Sequence, residues 1–266
     1  MSKTKVIAFA NNKGGSGKTT TCSNVGVAMA MQGKKVLLID GDMQLNLTIS
    51  YFDEEKALEF AQSGKNVYTA VREEKDLSDF VVETGYEGLD IVPSTSLMSG
   101  VECDLFTKWQ REFVLAKSLE TIRARGYYDY ILIDSPPTLG NWVTNILCAS
   151  DYVVIPVEAS PWGLFGLANM FEFCEKVKSM ARKPEILGIA ITKADERKKY
   201  FKQTLETLKE IGVKVFDNYV RVDSAVEWAQ DNSKPVVAYK KSSRSACEYI
   251  NLTKEIMENV CGKECN

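Results

Sequence analysis

The chain has 266 residues, 45% hydrophobic and 26% charged, enough for one sizeable α/β core and ordinary for a soluble globular protein. No Pro/Gly/Ser-rich linker divides it, so residues 1–266 are expected to form a single domain. Its 33 basic and 36 acidic residues, net −3, argue against wholesale polyelectrolyte binding, and the absence of histidine leaves proton handling to carboxylates, lysines and water.

The apolar run Val6 to Ala10 reads as a strand, and Val25, Ala28 and Met29 recur at helical spacing after Thr19. Between them lies Asn-Asn-Lys-Gly-Gly-Ser-Gly-Lys-Thr-Thr, residues 11–20. Strand, glycine loop and helix form the context of a phosphate-binding loop. Gly14, Gly15 and Gly17 let the backbone close round a polyphosphate with its N–H groups inward, and the helix adds the positive end of its dipole. In such a loop Lys18 reaches the β and γ phosphates, and the Thr19 hydroxyl ligates the accompanying Mg2+. Ser16 and Thr20 complete the cradle. The strict GxxxxGK[ST] pattern is missed, because Asn12 stands where its first glycine belongs.

Lys35 to Asp40 reads as a buried parallel strand ending in Asp40-Gly-Asp-Met-Gln-Leu-Asn46. Ligands of open α/β sheets bind at the carboxyl ends of strands, so Asp40 and Asp42 are expected to face the phosphates. Residues 48–88 read as small helices covering a sheet edge, Gly88 to Pro93 as a short strand, and Trp109 to Arg125 as one amphipathic helix. Tyr128 to Asp134 is an apolar strand ending in an aspartate, the arrangement by which P-loop enzymes hold magnesium. Beyond it, strands over 152–156 and 186–192 alternate with helices over 163–180 and 198–211. The expected fold class is therefore α/β: a mostly parallel twisted sheet with helices on both faces. A closing helix over 246–260 carries Tyr249, Ile250, Leu252, Ile256 and Met257 as an apolar stripe. Acids among its polar residues favour packing on the body over membrane targeting.

Lys13, just before the glycine pair, gives the deviant phosphate-loop form KGGxGKTT, and here the chain resembles the ParA/MinD/Soj group of P-loop ATPases. Asp40 to Asn46 matches that group's DxDPQxN switch with Met43 in place of proline, and Asp134-Ser-Pro-Pro137 matches its second switch. The resemblance implies ATP and Mg2+ as ligands and a homodimer closed on ATP, with Lys13 crossing to the partner subunit's nucleotide. It assigns Asp42 to the attacking water, Asp40 with Asp134 to the magnesium shell, and residues 135–140 to sensing the γ phosphate. Thr192-Lys-Ala-Asp195 also fits the TKxD tetrad by which GTP-binding proteins read guanine. ParA-type proteins place base contacts at this strand end too, so Thr192 is expected at the base, with adenine favoured.

Residues 176–244 carry 16 basic and 9 acidic side chains on an otherwise acidic chain. Their last part resembles Soj-like proteins, which implies sequence-independent DNA binding through a face including Arg221, Lys240, Lys241 and Arg244. The resemblance covers about residues 5–258 and implies a plasmid or chromosome partition ATPase without the N-terminal DNA-binding domain some relatives carry. It also implies release from DNA by hydrolysis that a ParB-like partner stimulates. A MinD-like membrane-positioning ATPase is the first alternative, and a metabolic or metal-cluster P-loop enzyme, which would need bridging cysteines or a substrate pocket, the second. No apolar run reaches membrane-spanning length and no leader pattern opens the chain, so a cytoplasmic, nucleoid-associated protein is expected. Seven cysteines without a CxxC pair suggest reduced thiols, with pairing or metal binding by Cys261 and Cys265 the lesser alternative.

Overall fold

The computed structural model describes residues 4–160 and 163–264. Its sheet has seven strands: β1 (Lys5–Phe9), β2 (Val36–Asp40), β3 (Val82–Tyr86), β4 (Leu89–Val92), β5 (Tyr130–Asp134), β6 (Tyr152–Glu158) and β7 (Glu185–Thr192). Their order is β3-β4-β2-β5-β1-β6-β7, and every pairing is parallel except β3 with β4. The central strands read as unbroken apolar runs because helices cover both of their faces; Val36 to Ile39 and Ile131 to Ile133 are fully buried.

One face carries the Asn141–Ala149 and Leu167–Ala181 helices and the short helices between β2 and β5. The other carries the Lys18–Ala30 helix, itself covered by the closing Arg244–Glu264 helix. Cys22, Val25 and Met29 of the first meet a core to which Tyr249, Leu252 and Ile256 of the last belong, so the closing helix packs on the body as its stripe requires.

Two local readings need correction. Trp109 to Arg125 is not one helix but a 3-10 turn (Arg111–Phe113) and two short helices, Val114–Ser118 and Glu120–Arg125, that meet at Leu119. Asn145 enters this segment: its side chain accepts from the Leu115 N–H and donates to the Arg111 carbonyl, anchoring the break from outside. The segment over 48–88 contains the edge strand β3 besides its helices. That strand is short, antiparallel and polar, with Glu83, Thr84 and Gly85 inside it, so periodicity did not reveal it.

Cys22, Cys148 and Cys174 are buried free thiols, while Cys103, Cys247 and Cys261 are exposed free thiols. Cys265 lies outside the described residues. No helix among the described residues is long and apolar enough to cross a membrane.

Candidate active site

The sheet gathers the predicted residues at one edge. β2, β5 and β1 are neighbours, with Asp40 in register with Asp134 and Asp134 in register with Phe9, the residue from which the phosphate loop departs. One position further along the sheet, Glu158 ends β6 opposite Thr192 at the end of β7. β2, β5 and β1 stop at one level while β6 and β7 run four residues further, so the carboxyl ends of these strands bring together side chains spread over most of the sequence. A cleft of about 770 Å³ opens there, bordered by Gly14, Gly15, Gly17 to Thr20, Asp42, Pro137, Thr192 and the 220–236 segment.

The glycine loop is built for close approach. Gly17 holds φ at 87°, and a β-carbon on it would come within 3.3 Å of the Thr192 side chain. At Gly14 a β-carbon would meet nothing within 4 Å, because the loop there faces the open cleft. The loop is pinned from β7: Thr192 donates its hydroxyl to the Ser16 carbonyl at 2.8 Å, and Lys193 donates its ammonium to the Gly15 carbonyl at 2.9 Å. Lys18 is buried and donates to the Lys13 carbonyl at 3.1 Å. Burial lowers its pKa, while Asp134 and Asp42 act to keep it charged.

Asp134 is the most exceptional group. Both carboxylate oxygens are buried without a hydrogen-bond partner of normal geometry. Burial drives its pKa well above the usual carboxylate range, the charge of Asp40 adds to this, and Thr19 and Lys18 oppose it. A fully buried orphan carboxylate is costly unless a ligand completes it, so the residues present fit a hard cation held partly by Asp134 and Thr19. Mg2+ typically takes one or two protein oxygens and completes its shell from phosphates and water.

Asp40 is differently employed. Its carboxylate accepts from the Thr48 N–H (2.8 Å), the Thr48 hydroxyl (2.7 Å) and the Asp42 N–H (3.1 Å). Burial raises its pKa to about 6, with the Thr48 and Asp42 hydrogen bonds acting in the other direction. It therefore braces the Asp40–Asn46 turn with oxygens already engaged, which leaves Asp134 as the open carboxylate of the pair. Asp42 accepts from Gln44 N–H at 3.1 Å, and its carbonyl accepts from Leu45 N–H and the Ser94 hydroxyl. These bonds restrain the turn that Met43 deprives of a proline. Leu45 sits at φ 56°, a left-handed conformation that costs about 1–2 kcal/mol in a non-glycine residue.

The Lys13 ammonium lies 3.0 Å from Glu158 and 3.4 Å from the Ser160 hydroxyl. Asn12, in the place of the missing glycine, packs against Gly166, where a β-carbon would come within 2.8 Å of its side chain. Asp195 pairs with Arg197 at 2.8 Å. Thr192 borders the cleft, although its hydroxyl proton is committed to Ser16.

Of the four basic residues expected at a polyanion face, Lys240 stacks its ammonium over Trp228 at 5.3 Å and Lys241 is exposed. Arg244 donates to the Val222 carbonyl at 2.6 Å and is half exposed. Arg221 is held between Glu248 (2.5 Å) and Glu196 (3.2 Å), so much of its charge is neutralised locally. Sequence reasoning missed residues that hold the turns and loop of this site: Thr48, Ser94 and Lys193. Only Lys193 lay inside a motif, and spacing could not say that it would reach back to Gly15.

A family model described as an AAA domain matches residues 4–186. The sporulation initiation inhibitor protein Soj of Bacillus subtilis is 36% identical over 257 residues, covering 96% of this chain and 99% of its own. The chromosome partitioning protein ParA of Caulobacter vibrioides is 34% identical, with 95% of this chain and 94% of its own covered. Among solved structures, a plasmid partition protein from Borrelia burgdorferi bound to AMPPNP superposes with a TM-score of 0.77 at 26% identity, covering 98% of this chain and 99% of its own.

Proposed function

We propose a function from one premise: the chain belongs to the ParA/Soj family of P-loop ATPases and is an ATP hydrolase. Our reading is a partition protein for a plasmid or chromosome, which closes into a dimer on ATP and Mg2+ and holds DNA without reading its sequence. Hydrolysis, quickened by a ParB-like partner, then releases the DNA. Such a protein works in the cytoplasm on the nucleoid.

The observation that carries the nucleotide chemistry is Asp134, whose buried carboxylate has no hydrogen bond of normal geometry among the described residues and lies in register with Asp40 beside Lys18. Bound Mg2+ would neutralise phosphate charge as the terminal phosphoryl group transfers to water. The chain's own residues do the rest. Loop N–H groups from Gly14 to Thr20 and the Lys18 ammonium bind and orient the phosphates, and Thr19 with Asp134 supplies oxygens to the metal. Asp42 accepts a hydrogen bond from the attacking water and aims it. Asp40 belongs to the metal's surroundings through the turn that it braces. Thr192 and the 220–226 segment border the base, for which adenine is favoured. Lys13 leaves Glu158 and reaches the partner's phosphates, so that nucleotide joins the subunits.

The polyanion face combines Lys240, Lys241 and Arg244 with Arg221, whose pairing to Glu196 and Glu248 makes it the weakest contributor. Asp42→Ala tests the mechanism: it should retain ATP binding and the dimer while losing turnover, and hydrolysis equal to the parent's refutes the assignment. Co-sedimentation with DNA and with anionic liposomes, each in ATP, tests the biological reading. Pelleting with liposomes alone would favour a MinD-like membrane role.

A further inference from the structure

On the reading above, two segments must be correctly placed at once for hydrolysis: Asp40–Asn46, carrying Asp42, and the stretch that follows Asp134. One side chain joins them. Trp142, 2% exposed and the second residue of the Asn141–Ala149 helix, donates its indole N–H to the Gly41 carbonyl at 2.8 Å. Gly41 stands between Asp40 and Asp42, and its own N–H donates to the Asp134 carbonyl at 3.0 Å. There is no slack on this side: a β-carbon at Gly41 would lie 2.6 Å from the Asp134 carbonyl oxygen and 3.3 Å from the indole nitrogen.

The helix bearing Trp142 is fixed from the other side by Glu102. One carboxylate oxygen accepts from the Asn141 N–H and the other from the Trp142 N–H, both at 3.0 Å. A carboxylate across two free N–H groups in the first turn is a favourable arrangement, strengthened by the helix dipole. Gly140 permits it, because a β-carbon there would sit 2.2 Å from a Glu102 oxygen. Any buried indole N–H needs an acceptor; the one used here is the carbonyl of Gly41, which lies between Asp40 and Asp42.

We propose that Trp142 is a positioning residue for hydrolysis: its indole N–H, backed by Glu102, ties the Asp42 segment to the segment behind Asp134, so that the two adopt the reactive arrangement together. The inference rests on the reading that Asp42 orients the attacking water. Trp142→Phe keeps an aromatic ring in place and removes the donor together with part of the indole's volume, so its stability is measured alongside its kinetics. It should lower kcat for ATP about tenfold while KM and affinity for a non-hydrolysable ATP analogue stay within twofold, measured where circular dichroism shows the variant folded. Glu102→Gln, which leaves one acceptor, should act in the same direction by less. A kcat within twofold of the parent for Trp142→Phe overturns the proposal, as does an effect carried by KM alone.

Asp42→Ala run in parallel separates the two levels. An active parent and inactive Asp42→Ala beside an unaffected Trp142→Phe refute this inference only, whereas normal turnover by Asp42→Ala refutes the reading beneath it and this inference with it. Should Trp142→Phe not fold, the unmutated protein decides through indole hydrogen exchange with Mg2+ and the ATP analogue. The Trp142 proton should exchange far more slowly than those of exposed Trp109 and Trp228, and equal exchange overturns the proposal.

Discussion

Glu158→Gln should make the ATP-dependent dimer tighter. In the single chain the Lys13 ammonium lies 3.0 Å from the Glu158 carboxylate, with side-chain exposures of 24% and 29%, and is supported at 3.4 Å by Ser160. If Lys13 serves the partner's nucleotide, that pair must break in both subunits as the dimer closes. A partly sheltered pair of this kind sits near the upper end of the surface range, about 1 kcal/mol. Two of them oppose closure by about 2 kcal/mol, roughly a thirtyfold change in the dimer dissociation constant. The amide keeps the shape of the glutamate and removes its charge. Sedimentation velocity over a protein concentration series, with Mg2+ and a non-hydrolysable ATP analogue, reads the effect directly. Lys13→Ala should bind nucleotide and stay monomeric, and adding Glu158→Gln to it should restore nothing. A dimer constant for Glu158→Gln equal to or weaker than the parent's would refute the idea that Lys13 is released from Glu158 on closure.

The remaining expectations are shorter. Lys18→Ala should weaken ATP binding at least a hundredfold by titration calorimetry, because Lys18 is the buried ammonium of the loop, while Lys13 is paired with Glu158 and Lys193 with the Gly15 carbonyl; retained affinity would displace Lys18 from the phosphates. Asp40 and Asp134 hold their protons to higher pH in the fold than in the unfolded chain, so folding takes up protons and the nucleotide-free protein loses stability as pH rises from about 4. For Asp40, whose pKa goes from 3.8 to about 6, this amounts to roughly 3 kcal/mol by the time pH has passed 6. Asp134, also raised by burial, adds to the loss in the same direction. Denaturant titrations at pH 5.5 and 7.5 should therefore show the more acidic sample to be more stable, with Asp134→Asn flattening the difference; a protein more stable at pH 7.5 would contradict the burial of these groups. Reversing the charge of Lys240, Lys241 and Arg244 together should remove salt-sensitive DNA retention in ATP and spare hydrolysis. Unchanged retention in a filter assay would place the polyanion face elsewhere.

The phosphate loop, both aspartate-ended strands and the alternating βα order were legible because each rests on a local pattern, a glycine spacing or an apolar run with a carboxylate at its end. The roles of the two carboxylates were not, since nothing near Asp40 in sequence says that Thr48 will satisfy it while Asp134 is left open. Long-range partners escaped for the same reason: Glu102 beside Gly140, Trp142 beside Gly41 and Lys193 beside Gly15 meet only once the sheet has ordered its strands. The polar strand β3 and the break at Leu119 were hidden because tertiary contacts decide them. Arg221 shows the limit of counting charge, since a cation between two glutamates contributes little to a field felt by a distant phosphate.

The clasp of Thr192 and Lys193 on the glycine loop, together with the cover that the final helix gives the first, bears on where this chain can be cut. A boundary drawn after residue 186 would retain every glycine of the loop and both aspartate-ended strands, yet sever most of β7 and strip the outer wall from Cys22, Val25 and Met29. Such a fragment would carry the sequence signature of a nucleotide enzyme with a greasy, unroofed helix beneath it, and aggregation is its natural fate. Here the tail is as much a part of the phosphate grip as the loop that gives the grip its name.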